Sequence, residues 1–171
     1  MKLIGNLLCI GFIVWVVSFF VKAEKKEFPS SEVLVSQFEK MELFDKKDWK
    51  KGNVVDGVQV YTSHTADNIL NSSWLLGVKQ AAVISLSDIR DPAFEGVSAL
   101  AVCFKLVKGV LGRDTKEDFK VVEDSFKLAL SSSSIDNVYQ DSQALDGYKF
   151  EVQMKSVTSN INSYTCSIKE K

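Results

Sequence analysis

His64 is the only histidine of the chain, so a Ser–His–acid relay, if present, has to be built on it. Serines and aspartates are plentiful, but none of the serines sits in a nucleophile-elbow pattern. A lone histidine at a strand end is ordinarily a surface or turn residue, and no catalytic residue is assigned. The cysteines offer different chemistry. Cys103 lies between Val102 and Phe104, an apolar setting that disfavours the thiolate a nucleophile needs. Two readings stand for Cys103 and Cys166, which both sit at apolar positions. They are either small buried hydrophobes or the two halves of a disulfide. The bond would close a loop of about 63 residues and contribute roughly 2–4 kcal/mol. One histidine and two distant cysteines cannot make a four-ligand metal site, so neither a metal nor any other cofactor is expected.

Other motifs are weaker. Lys108-Gly-Val-Leu-Gly-Arg113 imitates the Gly-x-x-Gly clamp of an RNA-binding loop, but two glycines that end one helix and turn into the next explain it as well. Asp88, Asp91 and Glu95 lack the central glycine and terminal glutamate of a calcium loop. Glu117/Asp118 and Glu123/Asp124 read as the wet side of an amphipathic helix. Asn71-Ser72-Ser73 is a glycosylation acceptor in a eukaryotic host. Trp49, Tyr61 and Trp74 form the candidate binding surface, because Trp and Tyr serve cores and interfaces alike. Trp49 stands in the polar turn Asp45–Asn53, where it either folds back onto the core or reaches a partner.

Composition narrows the class. Of the 171 residues, 46% are apolar and 25% charged, the balance of a globular domain. The net charge is −1, and it becomes −3 once Lys2 and Lys22 leave with residues 1–23. A mildly acidic chain with interspersed charges has no electrostatic funnel for nucleic acid, which is not expected as a partner.

Leu3 to Val21 is apolar apart from Asn6 and Ser18, long enough for a signal-peptide core and just long enough to span a bilayer. Val21-Lys22-Ala23 supplies a cleavage site that removes Ala23 and leaves Glu24 as the new start. Bulky Trp15, Phe19 and Phe20 argue instead for a retained anchor. Either way the remaining domain is expected outside the cytosol, with membrane contact only through residues 3–21 if they stay.

Residues 24–30 read as a linker and 31–171 as one globular domain. Ser30 or Ser31 caps a helix whose stripe is Leu34, Phe38 and Met41. Asp56-Gly57 marks a hairpin, with Val58, Val60 and Thr62 on one face and Gln59, Tyr61 and Ser63 on the other. Ile69–Val78 and Ala81–Ser87 continue a meander. Asp91-Pro92 starts a helix that runs to Gly109 and Gly112 and is apolar almost all round, hence a fully buried core helix. Thr115 caps a third helix, with Phe119, Val122, Phe126 and Ala129 or Leu130 as its stripe. After Asp146-Gly147, strict alternation from Tyr148 to Lys155 and from Tyr164 to Lys169 makes a C-terminal hairpin.

The expected fold is α+β: an antiparallel sheet, meander plus C-terminal hairpin, packed against two to three helices after the signal or anchor segment. The expected function is a non-enzymatic extracytoplasmic binding protein, inhibitor- or immunity-like by size and compartment, taking a protein or small ligand. A small secreted hydrolase using His64 or a carboxylate pair is one alternative. A membrane-anchored structural subunit is the other.

Overall fold

In the computed structural model, residues 26–88, 92–132 and 137–171 are described. The opening segment, its cleavage site at Ala23–Glu24 and the Asp91 cap lie outside the described residues. The fold is α+β. Seven strands form one antiparallel sheet: β1 (Lys50–Val55), β2 (Val58–Ala66), β3 (Leu70–Gly77), β4 (Gln80–Asp88), β5 (Val138–Leu145), β6 (Tyr148–Thr158) and β7 (Ile161–Glu170). Their order in space is β1-β2-β3-β4-β7-β6-β5. Two meanders therefore meet at the β4–β7 pair, and the helices between β4 and β5 carry the chain to the far edge.

Period-two patterning decides which face is covered. In β3, Leu70, Ser72, Trp74 and Leu76 are buried while Asn71 and Ser73 are exposed. In β6, Tyr148, Phe150, Val152 and Met154 are buried. Among the described residues three helices lie on this side, α1 (Ser31–Lys40), α2 (Pro92–Leu111) and α3 (Lys116–Ser131). Among the described residues no helix is long and apolar enough to cross a membrane.

Local chemistry sets the helix ends. The Ser30 hydroxyl accepts the Val33 amide at 3.4 Å, and α1 buries Leu34, Val35 and Phe38. The Thr115 hydroxyl accepts the Asp118 amide at 3.2 Å. Arg113 then clamps Asp118 with two parallel bonds of 2.8 Å, from Nε to Oδ2 and from Nη2 to Oδ1. This arrangement holds the Asp118 carboxyl below its usual range, first through the Arg113 hydrogen bonds and then through Thr115, against the cost of burial.

Two expectations about α2 need correcting. The helix is not buried all round: Phe94 and Val97 are 59% and 63% exposed, while Ala99, Val102, Cys103, Leu106, Val107 and Val110 face the core. A nearly all-apolar sequence hides this asymmetry, because its outer side is apolar too. Nor does Gly109 end the helix, which continues to Leu111. A Cβ at position 109 would stand 2.3 Å from the Phe38 ring, so this glycine is the notch through which α1 and α2 approach. Gly112 is the terminator, with φ of +64° and its amide bonded to Lys108 O at 2.9 Å.

Cys103 and Cys166 are joined in a disulfide with Cα atoms 5.7 Å apart, tying α2 to β7 beneath the middle of the sheet. Residues 26–30, expected as linker, are packed onto the domain. Phe28 is buried edge-on against Tyr148 with ring centroids 5.3 Å apart, and the Tyr148 hydroxyl donates to Glu27 O at 3.1 Å.

Candidate functional site: the open face of the sheet

Antiparallel pairing aligns the outward side chains into rows across the sheet. One row runs His64, Ser73, Ile84, Thr165, Gln153, Gln140. The next runs Lys50, Thr62, Leu75, Ala82, Ser167, Glu151, Ser142. No described helix lies on this side. An open face is ordinary for an antiparallel sheet. Here its middle carries a short apolar strip from neighbouring strands, Leu75, Ile84 and Leu86, with Ile84 and Leu86 48% and 45% exposed. Hydroxyl and amide side chains surround it. The face carries Lys50, Lys149, Lys155 and Lys169 against Asp88 and Glu151, so it is net cationic on a chain of net negative charge.

Two depressions lie on it. The first, of about 950 Å³, covers β2–β4 and is lined by Thr62, His64, Ser73, Leu75, Ala82 and Ile84. It continues past the start of β1 to Phe44 and the 3-10 turn Lys46–Asp48. The second, of about 460 Å³, covers β5–β7. At its floor Glu151 takes an ion pair from Lys169 and another from Lys149 at 2.6 Å, with Ser167 Oγ at 3.4 Å. The hydrogen bonds from Lys149 and then Lys169 hold the Glu151 carboxyl below its usual range. Both lysine side chains remain about half exposed, at 48% and 42%.

His64 lies directly across from Ser73 in the β2–β3 pairing, and Asp48 lines the same depression. Among the described residues, however, His64 makes no hydrogen bond to Ser73 or to a carboxylate. The Asp48 Oδ2 atom instead accepts the Asp45 amide at 3.0 Å. The three residue types are gathered without the bonds that would make them a relay. Among the described residues no group of three or more His, Cys, Asp or Glu is placed to hold a metal.

The aromatic candidates lie elsewhere. Trp49 and Trp74 are 6% and 2% exposed, and Tyr61 packs partly buried against the same core. Trp49 takes the first of its two courses: the 3-10 turn folds it back onto Phe38 and Phe44 at centroid distances of 5.4 and 5.1 Å. Among the described residues its Nε1 is buried without a partner, whereas Trp74 Nε1 donates to Thr65 Oγ1 at 3.0 Å. Trp49 and Trp74 are thus core, and the exposed apolar strip on the open face consists of the aliphatic residues Leu75, Ile84 and Leu86 among serines and threonines. Residue-type reasoning missed it because Leu75, Ile84 and Leu86 read as ordinary strand residues. The signal was that β3 and β4 carry apolar residues at both parities, more than one covered face needs.

The core's polar end is distinct. Glu95, 3% exposed, accepts at Oε1 from Asn162 Nδ2 and from the Tyr164 hydroxyl, both at 2.8 Å. Burial and then that bond to Glu95 push the Tyr164 hydroxyl up from its usual pKa. Nearby on the covered face, the buried Ser72 and Ser85 hydroxyls bond each other at 2.7 Å. These groups satisfy one another and fasten the first turn of α2 to β7.

No protein-family model matches this chain, and no match was found among curated proteins or among solved structures.

Proposed function

We propose that this protein is a non-enzymatic binding protein of the extracytoplasmic space that docks a protein partner on the open face of its sheet. The observation that carries the reading is that face: an aliphatic centre on β3 and β4, a surround of Ser, Thr and Gln, and four lysines against two carboxylates. Interfaces are built with an apolar middle inside a polar rim. The cationic rim selects a partner whose own docking surface is acidic. The compartment is supported by the disulfide, since such bonds persist in oxidising surroundings and are rare in the cytosol. The apolar segment Leu3–Val21 supports it independently, as signal or as tether.

A secreted hydrolase is the second reading. It is favoured only by the His64–Ser73 juxtaposition and lacks the hydrogen bonds that would activate the serine.

The test is a contrast of faces. A photo-crosslinking residue is placed at Ile84 on the open face and, in a separate variant, at Leu128 on α3, which is equally exposed at 48%. Both are expressed in the native host. An adduct formed at position 84, absent at 128 and lost when Leu86→Glu is added, is the expected result. Adducts confined to position 128 contradict the proposal.

A further inference from the structure

Antiparallel topology places three turns at one end of the sheet: β1–β2 at Asp56-Gly57, β3–β4 at Val78-Lys79, and β5–β6 at Asp146-Gly147. The C-terminus of β7 and the N-terminus of α1 lie at the same end. It is also where the chain enters the fold. Lys26 Nζ meets Asp146 Oδ2 at 2.5 Å and lies 5.1 Å from the centre of the Tyr148 ring, while Phe28 is buried behind it. A depression of about 740 Å³ is walled there by Glu27–Ser30, Val33, Val58, Val78 and Lys79. Beside it three exposed valines stand among the charged Asp56 and Lys79: Val33, Val54 and Val55 are 51%, 63% and 47% exposed.

We infer that this end of the domain rests against a phospholipid bilayer, with the β1–β2 hairpin tip seated among the lipid headgroups. The inference rests on the tethered form of the proposed function, in which residues 3–21 remain in the membrane. The length of chain outside the described fold supplies the geometry. Four residues, Lys22–Lys25, separate Val21 from Lys26, so the two Cα atoms are five steps apart and at most about 18 Å. Because Lys26 and Phe28 are fixed to β5 and β6, the tether cannot be lengthened by peeling residues 26–30 away without exposing Phe28. A bilayer holding Val21 at its edge therefore lies within that reach of Lys26, at the same end of the sheet as Val33, Val55 and Val58, with the β1–β2 hairpin at the opposite edge of that end from the β5–β6 turn. The open face, whose strands run away from this end, is then left standing clear of the membrane.

The experiment uses the full chain with Cys9→Ser, reconstituted in phosphatidylcholine vesicles. Nitroxide labels are attached at Val55→Cys and, separately, at Phe94→Cys near the other end of the fold. The expected result is association of the protein with the vesicles, a label at 55 relaxed preferentially by oxygen, and a label at 94 relaxed preferentially by a water-soluble nickel complex. Association with both labels equally open to nickel overturns the inference and leaves the tether standing. Failure to associate with vesicles overturns the tethered form, and the inference with it.

Discussion

At the scale of single residues, the fold depends on a few side chains that cannot be exchanged for near neighbours. Gly109 is one. Its missing Cβ is what lets Phe38 lie against α2, so Gly109→Ala is expected to destabilise the protein by about 1–3 kcal/mol, the usual result of overpacking a fixed core. Thermal denaturation reads it, and the added variant Phe38→Leu should recover part of the loss. Asp118 is another. Its carboxyl is held below the usual range by Arg113 and Thr115. A depressed carboxylate contributes stability that is present above its unfolded value, near pH 4, and is lost as pH falls through the folded value below that. Asp118→Asn should therefore cost about 1–3 kcal/mol at neutral pH. The gap from wild type should close as pH drops below about 4. Denaturant titrations at pH 7 and pH 3 check both the size and the sign. Removing Glu95 leaves the Tyr164 hydroxyl and the Asn162 amide without their shared acceptor. Glu95→Ala is expected to cost a similar amount and to raise hydrogen exchange in the first turn of α2.

Elements show what could be read from the chain and what could not. The two hairpins announced by Asp-Gly form where expected, with Asp56 and Asp146 at φ of 50° and 49°. The C-terminal alternation from Tyr148 became β6 with its faces as read. The strand β5 carried no such signal, because Gln140, Asp141, Ser142 and Gln143 leave only Leu145 fully buried. It is a strand because the Asp146-Gly147 turn and its pairing with β6 make it one. For α2 the difficulty was opposite: apolar residues all round conceal which side is wet, and only packing against β4, β7 and α1 decides. The disulfide belongs at this scale too. Two cysteines at apolar positions are equally good as free thiols, and only the placement of α2 over β7 brings their Cα atoms to 5.7 Å. Replacing both by serine should lower stability by about 2–4 kcal/mol. Its first consequence should be faster exchange where α2 meets the sheet, with the hairpin β5–β6 less affected.

For the molecule as a whole, the three described helices and a buried disulfide are committed to one side of the sheet, and the other side carries no described helix. The candidate site was the less legible part. Sequence reading weighs residue types, and aromatics outrank aliphatics as binding residues; Trp49 and Trp74 accordingly drew attention, yet both are needed inside. The open face emerges only when rows from all seven strands are laid side by side, a relation set by pairing order and invisible along the chain. Its use as a docking surface presupposes delivery to an oxidising compartment with the helical layer locked in place. The measurement that tests this most directly is the intact mass of the protein recovered from each fraction of its own host, with and without reductant. The account predicts recovery from the extracytoplasmic or membrane fraction, with a mass that rises by two hydrogens on reduction as Cys103 and Cys166 separate. It predicts either a start at Glu24 or the whole chain held in the membrane. A cytosolic protein with Cys103 and Cys166 already reduced would contradict it.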